Sequence, residues 1–256
     1  KIYSAHQDHE IPIRIFYPEE RKHEEHVIYL HGGGWALGDV DTYTSACVNL
    51  ANHLHRNVYV VDYRKAPEHP YPAAFEDCLQ AVKVLLTSKR EGKEKNWIVM
   101  GDSAGGNLAA AVSLKLRNEN EKLPIKQVLI YPLTYWEHNE NSPYESVREN
   151  GYDYGLTIKK INEYMEMYVP NEEERKSPYV APLLAEDFRN QPDTLVITSE
   201  FDPLRDEGEA YGRALKEAGN HVEIKRILNS VHGFITYPPF VDPLTESYKL
   251  MNEFLN

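Results

Sequence analysis

One stretch constrains this chain more than any other. Trp97 to Met100 is a short apolar run, Gly101-Asp102-Ser103-Ala104-Gly105-Gly106 follows it, and an Ala/Leu-rich segment runs from Asn107 to Leu116. The first part reads as a buried strand and the last as a helix. Strand, tight Gly turn and helix together form the context that a G-x-S-x-G nucleophile elbow requires. So sharp a turn puts Ser103 at an unfavourable backbone angle with its hydroxyl exposed. Gly101 and Gly105 carry no Cβ, which lets strand and helix pass close to the turn. The helix N-terminus beneath Ser103 favours a developing negative charge. A bare G-x-S-x-G arises by chance in roughly one chain of this size in ten. The motif's weight therefore depends on what surrounds it.

Other buried runs bear on the same architecture. Val27 to Leu30, Val58 to Val61 and Val128 to Ile130 are continuously apolar, the pattern of strands covered on both faces, and Thr194 to Ile197 reads as a further strand. Ile11 to Tyr17 alternates and reads as an outer strand; Val222 to Ile227 alternates with charges and reads as a strand near the sheet edge. Helical spacing marks Thr42 to His55, Ala73 to Leu86, Ile158 to Tyr168, Glu209 to Ala218 and Leu244 to Phe254. Asp62 to Pro72 is a Pro-rich irregular loop, and Ser88 to Lys95 an exposed connector. Strands alternating with helices predict an α/β fold whose mostly parallel sheet has helices on both faces. The whole of 1–256 reads as one domain. Thr134 to Pro182 lacks a buried strand signal and is rich in Tyr and Glu, so it reads as a small cap or lid insertion over the sheet end.

Ligand sites in such sheets lie beyond the C-terminal ends of the strands, and four features fall there. His31-Gly32-Gly33-Gly34-Trp35 ends one strand. Three consecutive glycines are costly in chain entropy, and bare backbone N–H groups on such a loop suit an oxyanion hole. His31 itself fits a loop-bracing hydrogen bond better than a catalytic one. Ser103 ends the second strand, Asp202 the third, and His232 follows the last. The order Ser, Asp, His is the one the elbow requires. Glu200 and Asp206 are rival acids. Asp202 follows its strand directly, whereas Asp206 lies about one turn into a helix, where a structural ion pair suits it.

Composition narrows the field. Forty acidic against 28 basic side chains give a net charge of −12, which argues against nucleic acid and anionic membranes as partners. No apolar stretch reaches membrane-spanning length and no signal-peptide pattern opens the chain, so a cytoplasmic location is expected. Lys1 rather than Met stands first, so a short native N-terminal piece is expected to be missing. Cys47 and Cys78 read as buried free thiols, and no Cys/His cluster has zinc-ligand spacing.

The same residues carry a family resemblance. The His31 to Trp35 loop, Asp62-Tyr63-Arg64 with Ala66-Pro67-Glu68-His69-Pro70 and Pro72-Ala73, Gly101 to Asn107, Asp202 to Gly208 and His232-Gly233-Phe234 resemble the hormone-sensitive-lipase-like carboxylesterases of the α/β-hydrolase fold. The resemblance covers nearly the whole chain. It implies Ser103, Asp202 and His232 as a catalytic triad, with Gly33, Gly34 and Ala104 supplying oxyanion N–H groups. No cofactor or metal is implied. Trp35, Asn107, Trp136 and Phe201 are candidate substrate-binding neighbours by motif adjacency. Members commonly carry N-terminal cap helices, and almost nothing precedes Ile11 here, so the cap is expected to come mainly from the 134–182 insertion. The expected substrate is a small soluble ester of acetyl type. The alternatives are an amidase or peptidase using the same triad, or a non-catalytic ligand-binding module. Dimers are common in the family, which makes a homodimer an open expectation.

Overall fold

Continuous apolar runs become the inner strands of a seven-stranded sheet. In chain order these are β1 (Ile13–Phe16), β2 (His26–Leu30), β3 (Asn57–Val61), β4 (Trp97–Asp102), β5 (Lys126–Ile130), β6 (Asp193–Phe201) and β7 (Val222–Val231). The computed structural model describes residues 2–90, 93–94 and 96–256. Across the sheet the order is β7-β6-β5-β4-β2-β3-β1. Only β1 runs antiparallel, against β3. The two alternating segments take the two edges, as their pattern predicts.

Two predicted boundaries shift for physical reasons. Ile11 to Tyr17 divides at Pro12. Glu10–Ile11 pairs with Ile2–Tyr3, while β1 joins the main sheet. Proline has no N–H to continue a ladder, and its carbonyl instead accepts from Asp62 N at 3.0 Å. β6 runs four residues past its apolar core and carries a register shift between Ser199 and Phe201. Such an irregularity re-aims the chain, here just before Asp202. In the predicted connector 88–95, Glu91, Gly92 and Lys95 lie outside the described residues, as does Lys1.

Alternate residues of each inner strand feed two cores. On one face, Val27, Tyr29, Val58, Ile98 and Met100 pack with α1 (Thr44–Leu54) and α7 (Asp242–Leu255). On the other, Ile28, Leu30, Val61, Val99 and Val196 meet α2 (Ala73–Thr87), α3 (Ala104–Asn118) and α6 (Arg205–Glu217). Val27, Ile28 and Leu30 are wholly buried, each stabilising the fold by about 1.5–3 kcal/mol. Cys47 and Cys78 are buried and free.

Segment 134–182 holds α4 (Glu145–Asn150), α5 (Ile158–Tyr168) and a short 3₁₀ turn, Glu172–Lys176, and a second such turn, Pro182–Leu184, begins at its last residue. Only α5 is legible as a helix in the sequence, because six-residue α4 is too short to show a period. A buried carboxylate ties the segment down. Glu207 of α6 accepts from Thr134 N at 2.7 Å and Tyr135 N at 3.0 Å, and pairs with His138 Nε2 at 2.7 Å. Among the described residues no helix is long and apolar enough to cross a membrane.

Candidate active site

The turn from β4 into α3 places Ser103 at φ 54°, ψ −120°, a strained conformation for a residue with a side chain. What holds it there is packing. A Cβ on Gly105 would fall inside the carbonyl oxygens of Leu30 and His31, so α3 begins hard against the end of β2. Ser103 N donates to Ile130 O at 2.9 Å, and Asn107 N to Ser103 O at 2.9 Å. Strand, turn and helix are thus joined through one residue, which lines the cavity at the sheet's end.

His232 follows β7 directly. Its Nε2 lies 2.8 Å from Ser103 Oγ and its Nδ1 2.7 Å from Asp202 Oδ2. A carboxylate only accepts, so the imidazole proton sits on Nδ1 and the Nε2 lone pair receives the serine hydroxyl. Asp202 is fully buried, and its other carboxylate oxygen accepts from Leu204 N at 2.9 Å. The ring of Tyr131 supports the imidazole, with centroids 4.6 Å apart. This arrangement can draw the proton from a hydroxyl and store it on an imidazolium beside a carboxylate.

The rival acids are otherwise engaged. Asp206 pairs with Arg205 at 2.8 Å and accepts from Ser146 N, and Glu200 accepts from Asn229 N at 2.7 Å. His31 is fully buried beneath its loop. Burial pushes its pKa down to about 4, against the hydrogen bond to Gly32 O. The imidazole is therefore neutral, bonded to Gly32 O at 2.7 Å and stacked on Tyr63 with centroids 4.4 Å apart.

Above it, Gly33, Gly34 and Trp35 have φ of 117°, 60° and 57°. No turn, loop or capping hydrogen bond among the described residues uses the N–H of Gly33, Gly34 or Ala104. Ala104 is the first residue of α3, where no intrahelical acceptor exists. All three residues line one cavity of about 270 Å³ together with Ser103 and His232. Its remaining wall is largely apolar: Leu133, Leu156, Ile161, Tyr164 and Leu204, with Lys160 at its edge.

Of the four candidate substrate neighbours, only Trp35 lines this cavity. Asn107 does not. One turn along α3, it is fully buried and donates to Leu133 O and Val180 O at 2.9 and 2.7 Å. Trp136 lies under Lys176, whose Nζ stands 4.8 Å from the ring. Phe201 stacks on Tyr154 with centroids 5.0 Å apart. Adjacency to a motif in sequence does not carry a side chain to the motif's cavity.

Asp102 is the residue sequence reading passed over. Fully enclosed, it accepts from Tyr29 OH and Gly32 N at 2.8 Å and from Tyr43 OH at 2.9 Å. Burial raises its pKa, and the three hydrogen bonds oppose the rise. It fastens the glycine loop to the elbow. The one available signal was its place inside the elbow itself. For Ile161 and Tyr164 the signal was the stripe Ile161, Tyr164, Met165, Tyr168 at helical spacing.

Comparison with known proteins bears on the fold and the family. Residues 27–236 match the alpha/beta hydrolase fold family. An arylesterase of Saccharolobus solfataricus is 38% identical over 235 residues, covering 91% of this chain and 75% of that one. An ethyl acetate hydrolase of Pseudomonas putida is 31% identical over 253 residues, covering 96% and 78%. Among solved structures, the hyperthermophilic esterase from Pyrobaculum calidifontis superposes with a TM-score of 0.90 at 36% identity, over 98% of this chain and 80% of its own. The chain belongs to the hormone-sensitive-lipase-like carboxylesterase family of the α/β-hydrolase fold.

Proposed function

We propose that this protein is a serine carboxylesterase for short-chain acyl esters, acetyl esters above all, working through Ser103, His232 and Asp202. The observation that carries the reading is the hydrogen-bonded run Asp202, His232, Ser103 at the floor of a cavity that Gly33, Gly34 and Ala104 also line. Ser103 Oγ attacks the ester carbonyl carbon while His232 Nε2 takes its proton. Asp202 holds the imidazole tautomer and stabilises the imidazolium. The carbonyl oxygen, now an anion, is received by the N–H groups of Gly33, Gly34 and Ala104, each such donor typically worth about 10²–10³ in rate. His232 returns the proton to the departing alkoxide, which leaves as the alcohol. Water, deprotonated by the same imidazole, then releases the acid from Ser103.

The short-chain preference is supported by size. A cavity of about 270 Å³ is small beside sites of roughly 300–1,000 Å³ that enclose drug-sized ligands. The similarity to an ethyl acetate hydrolase supports it too. The test is hydrolysis of a p-nitrophenyl ester series from acetate to decanoate. Acetate or butyrate is expected to be turned over fastest, and Ser103→Ala to lower kcat at least about 10⁴-fold. Undiminished activity in that variant would remove Ser103 from the mechanism. Fast decanoate cleavage would overturn the chain-length reading. Cleavage of the matching anilide at a comparable rate would favour an amidase.

A further inference from the structure

The glycine loop is covered from above by a helix that is remote from it in sequence. α5 turns Ile161, Met165 and Tyr168 into the core. Tyr164, between them on the same face, is half-buried and borders the cavity. Its ring lies against the backbone of Gly34. A Cβ built on Gly34 would stand within 2.7 Å of both Tyr164 Cδ atoms and closer still to Cγ. One helical turn on, Tyr168 stacks on Trp35 with centroids 4.4 Å apart and planes 10° apart. Two successive loop residues with positive φ are thus each covered by an aromatic ring, and the two rings are spaced i, i+4 on one helix.

The loop's underside is equally fixed, by Asp102 on Gly32 N and by Tyr63 on His31. α5 itself is held in place. Thr157 caps its first turn, Asn162 Nδ2 donates to His138 O at 2.9 Å, and Tyr71 N donates to Tyr168 O at 2.7 Å. The helix therefore bears on the loop as a fixed body. We infer that Tyr164 is a positioning residue for the oxyanion hole: its ring, resting on Gly34, keeps the Gly34 N–H aimed at the carbonyl oxygen of the substrate. This rests on the oxyanion role proposed above for the loop. It makes 134–182 part of the device that stabilises the transition state, beyond its part in walling the cavity.

The test separates aim from binding. Tyr164→Ala, Tyr164→Leu and Tyr164→Phe are compared on p-nitrophenyl acetate, with inhibition by a short-chain trifluoromethyl ketone measured alongside. Ser103 Oγ adds to that ketone carbon, its proton passes to His232, and the ketone oxygen becomes the anion the loop must hold. Loss of the ring should lower kcat roughly 10- to 100-fold in the Ala and Leu variants, the cost of misaimed donors. KM should stay within about threefold, and inhibitor affinity should fall in step with kcat/KM. Phe keeps the ring face and should restore kcat to within about twofold. A melting transition near that of the parent in the Leu variant excludes loss of the fold. A rise in KM with kcat untouched would overturn the proposal, making Tyr164 cavity wall alone. So would a Phe variant as impaired as Ala. Activity persisting in Ser103→Ala would instead defeat the reading of the site itself, whatever the Tyr164 variants do.

Discussion

The floor and the roof of the cavity are built by different physics. The floor, from Leu30 through the glycine loop and from Gly101 through Ala104, sits where buried parallel strands end. Its geometry follows from apolar burial on both faces of the sheet and from carbonyl oxygens that leave no space for a Cβ at Gly105. The roof, 134–182, has no strand in the sheet. Its start is fixed by buried polar groups, Glu207 with Thr134, Tyr135 and His138, and its inner face by aromatic rings. The floor is specified by local motifs, the roof by tertiary partners, and the two meet at Gly34 under Tyr164. Substitutions in the two regions should therefore fail in different ways.

The largest expected effect lies in the floor. Gly105→Ala drives a methyl into two backbone carbonyl oxygens, those of Leu30 and His31. Neither is free to turn away: Leu30 ends β2, which is paired on both sides, and His31 O accepts from Tyr63 OH at 2.7 Å. The cost should exceed about 4 kcal/mol, the range of exceptional substitutions, and should appear as loss of folded protein in a denaturant titration. A variant that folds with parental stability would show that α3 does not bear this closely on β2. Second comes the roof's anchor. Glu207→Ala strands the N–H groups of Thr134 and Tyr135 and the ring of His138 inside the protein. Breaking such a buried network should cost about 3 kcal/mol. Proteolysis should then cut 134–182 before the sheet. Simultaneous digestion of both would mean the two regions do not come apart separately.

How much of this was legible follows the same division. Val27 to Leu30, Gly101 to Gly106 and the position of His232 after an alternating strand carry their structure in adjacent residues, so the sheet and the Ser103, His232, Asp202 grouping can be read from the chain. Asn107, Trp136 and Phe201 could not be placed that way. Whether a side chain next to a motif enters the cavity depends on the Leu133 and Val180 carbonyls at Asn107, on Lys176 at Trp136 and on Tyr154 at Phe201, all far along the chain. α6 shows the limit on a smaller scale. Its apolar period starts near Glu209, but the helix begins at Arg205, because Asp202 fixes Leu204 N and so sets the first turn.

Acid should find the floor through His31. The folded pKa, about 4, lies below the roughly 6.5 of an unfolded chain. The unfolded state thus takes up the proton first, and stability is complete above pH 6.5 and lost as pH falls toward 4. Between pH 7 and pH 5 the loss from this group should approach 2 kcal/mol at about 1.36 kcal/mol per pH unit. Asp102, whose folded pKa is raised, works in the opposite sense over its own acid range. His31→Gln removes the linked proton, so its denaturation midpoint should change less between these two pH values than that of the parent. Equal changes would mean that His31 is not the group through which acid acts.

The smallest expected effect tests the boundary of the roof. The place of Trp136 in the chain predicts a position near the substrate, yet its ring packs beside Tyr135 and under the Lys176 ammonium and does not line the cavity. If contacts rather than sequence adjacency decide, Trp136→Ala loses about 1 kcal/mol of cation–π and ring packing. Its kcat/KM on p-nitrophenyl acetate should stay within about threefold of the parent's, a change under 1 kcal/mol in the barrier. A tenfold fall in kcat/KM with an unshifted melting temperature would place Trp136 against the substrate after all. The roof would then reach the reacting ester from more than one side, and Tyr164 would share its role with a residue on the far flank of the same segment.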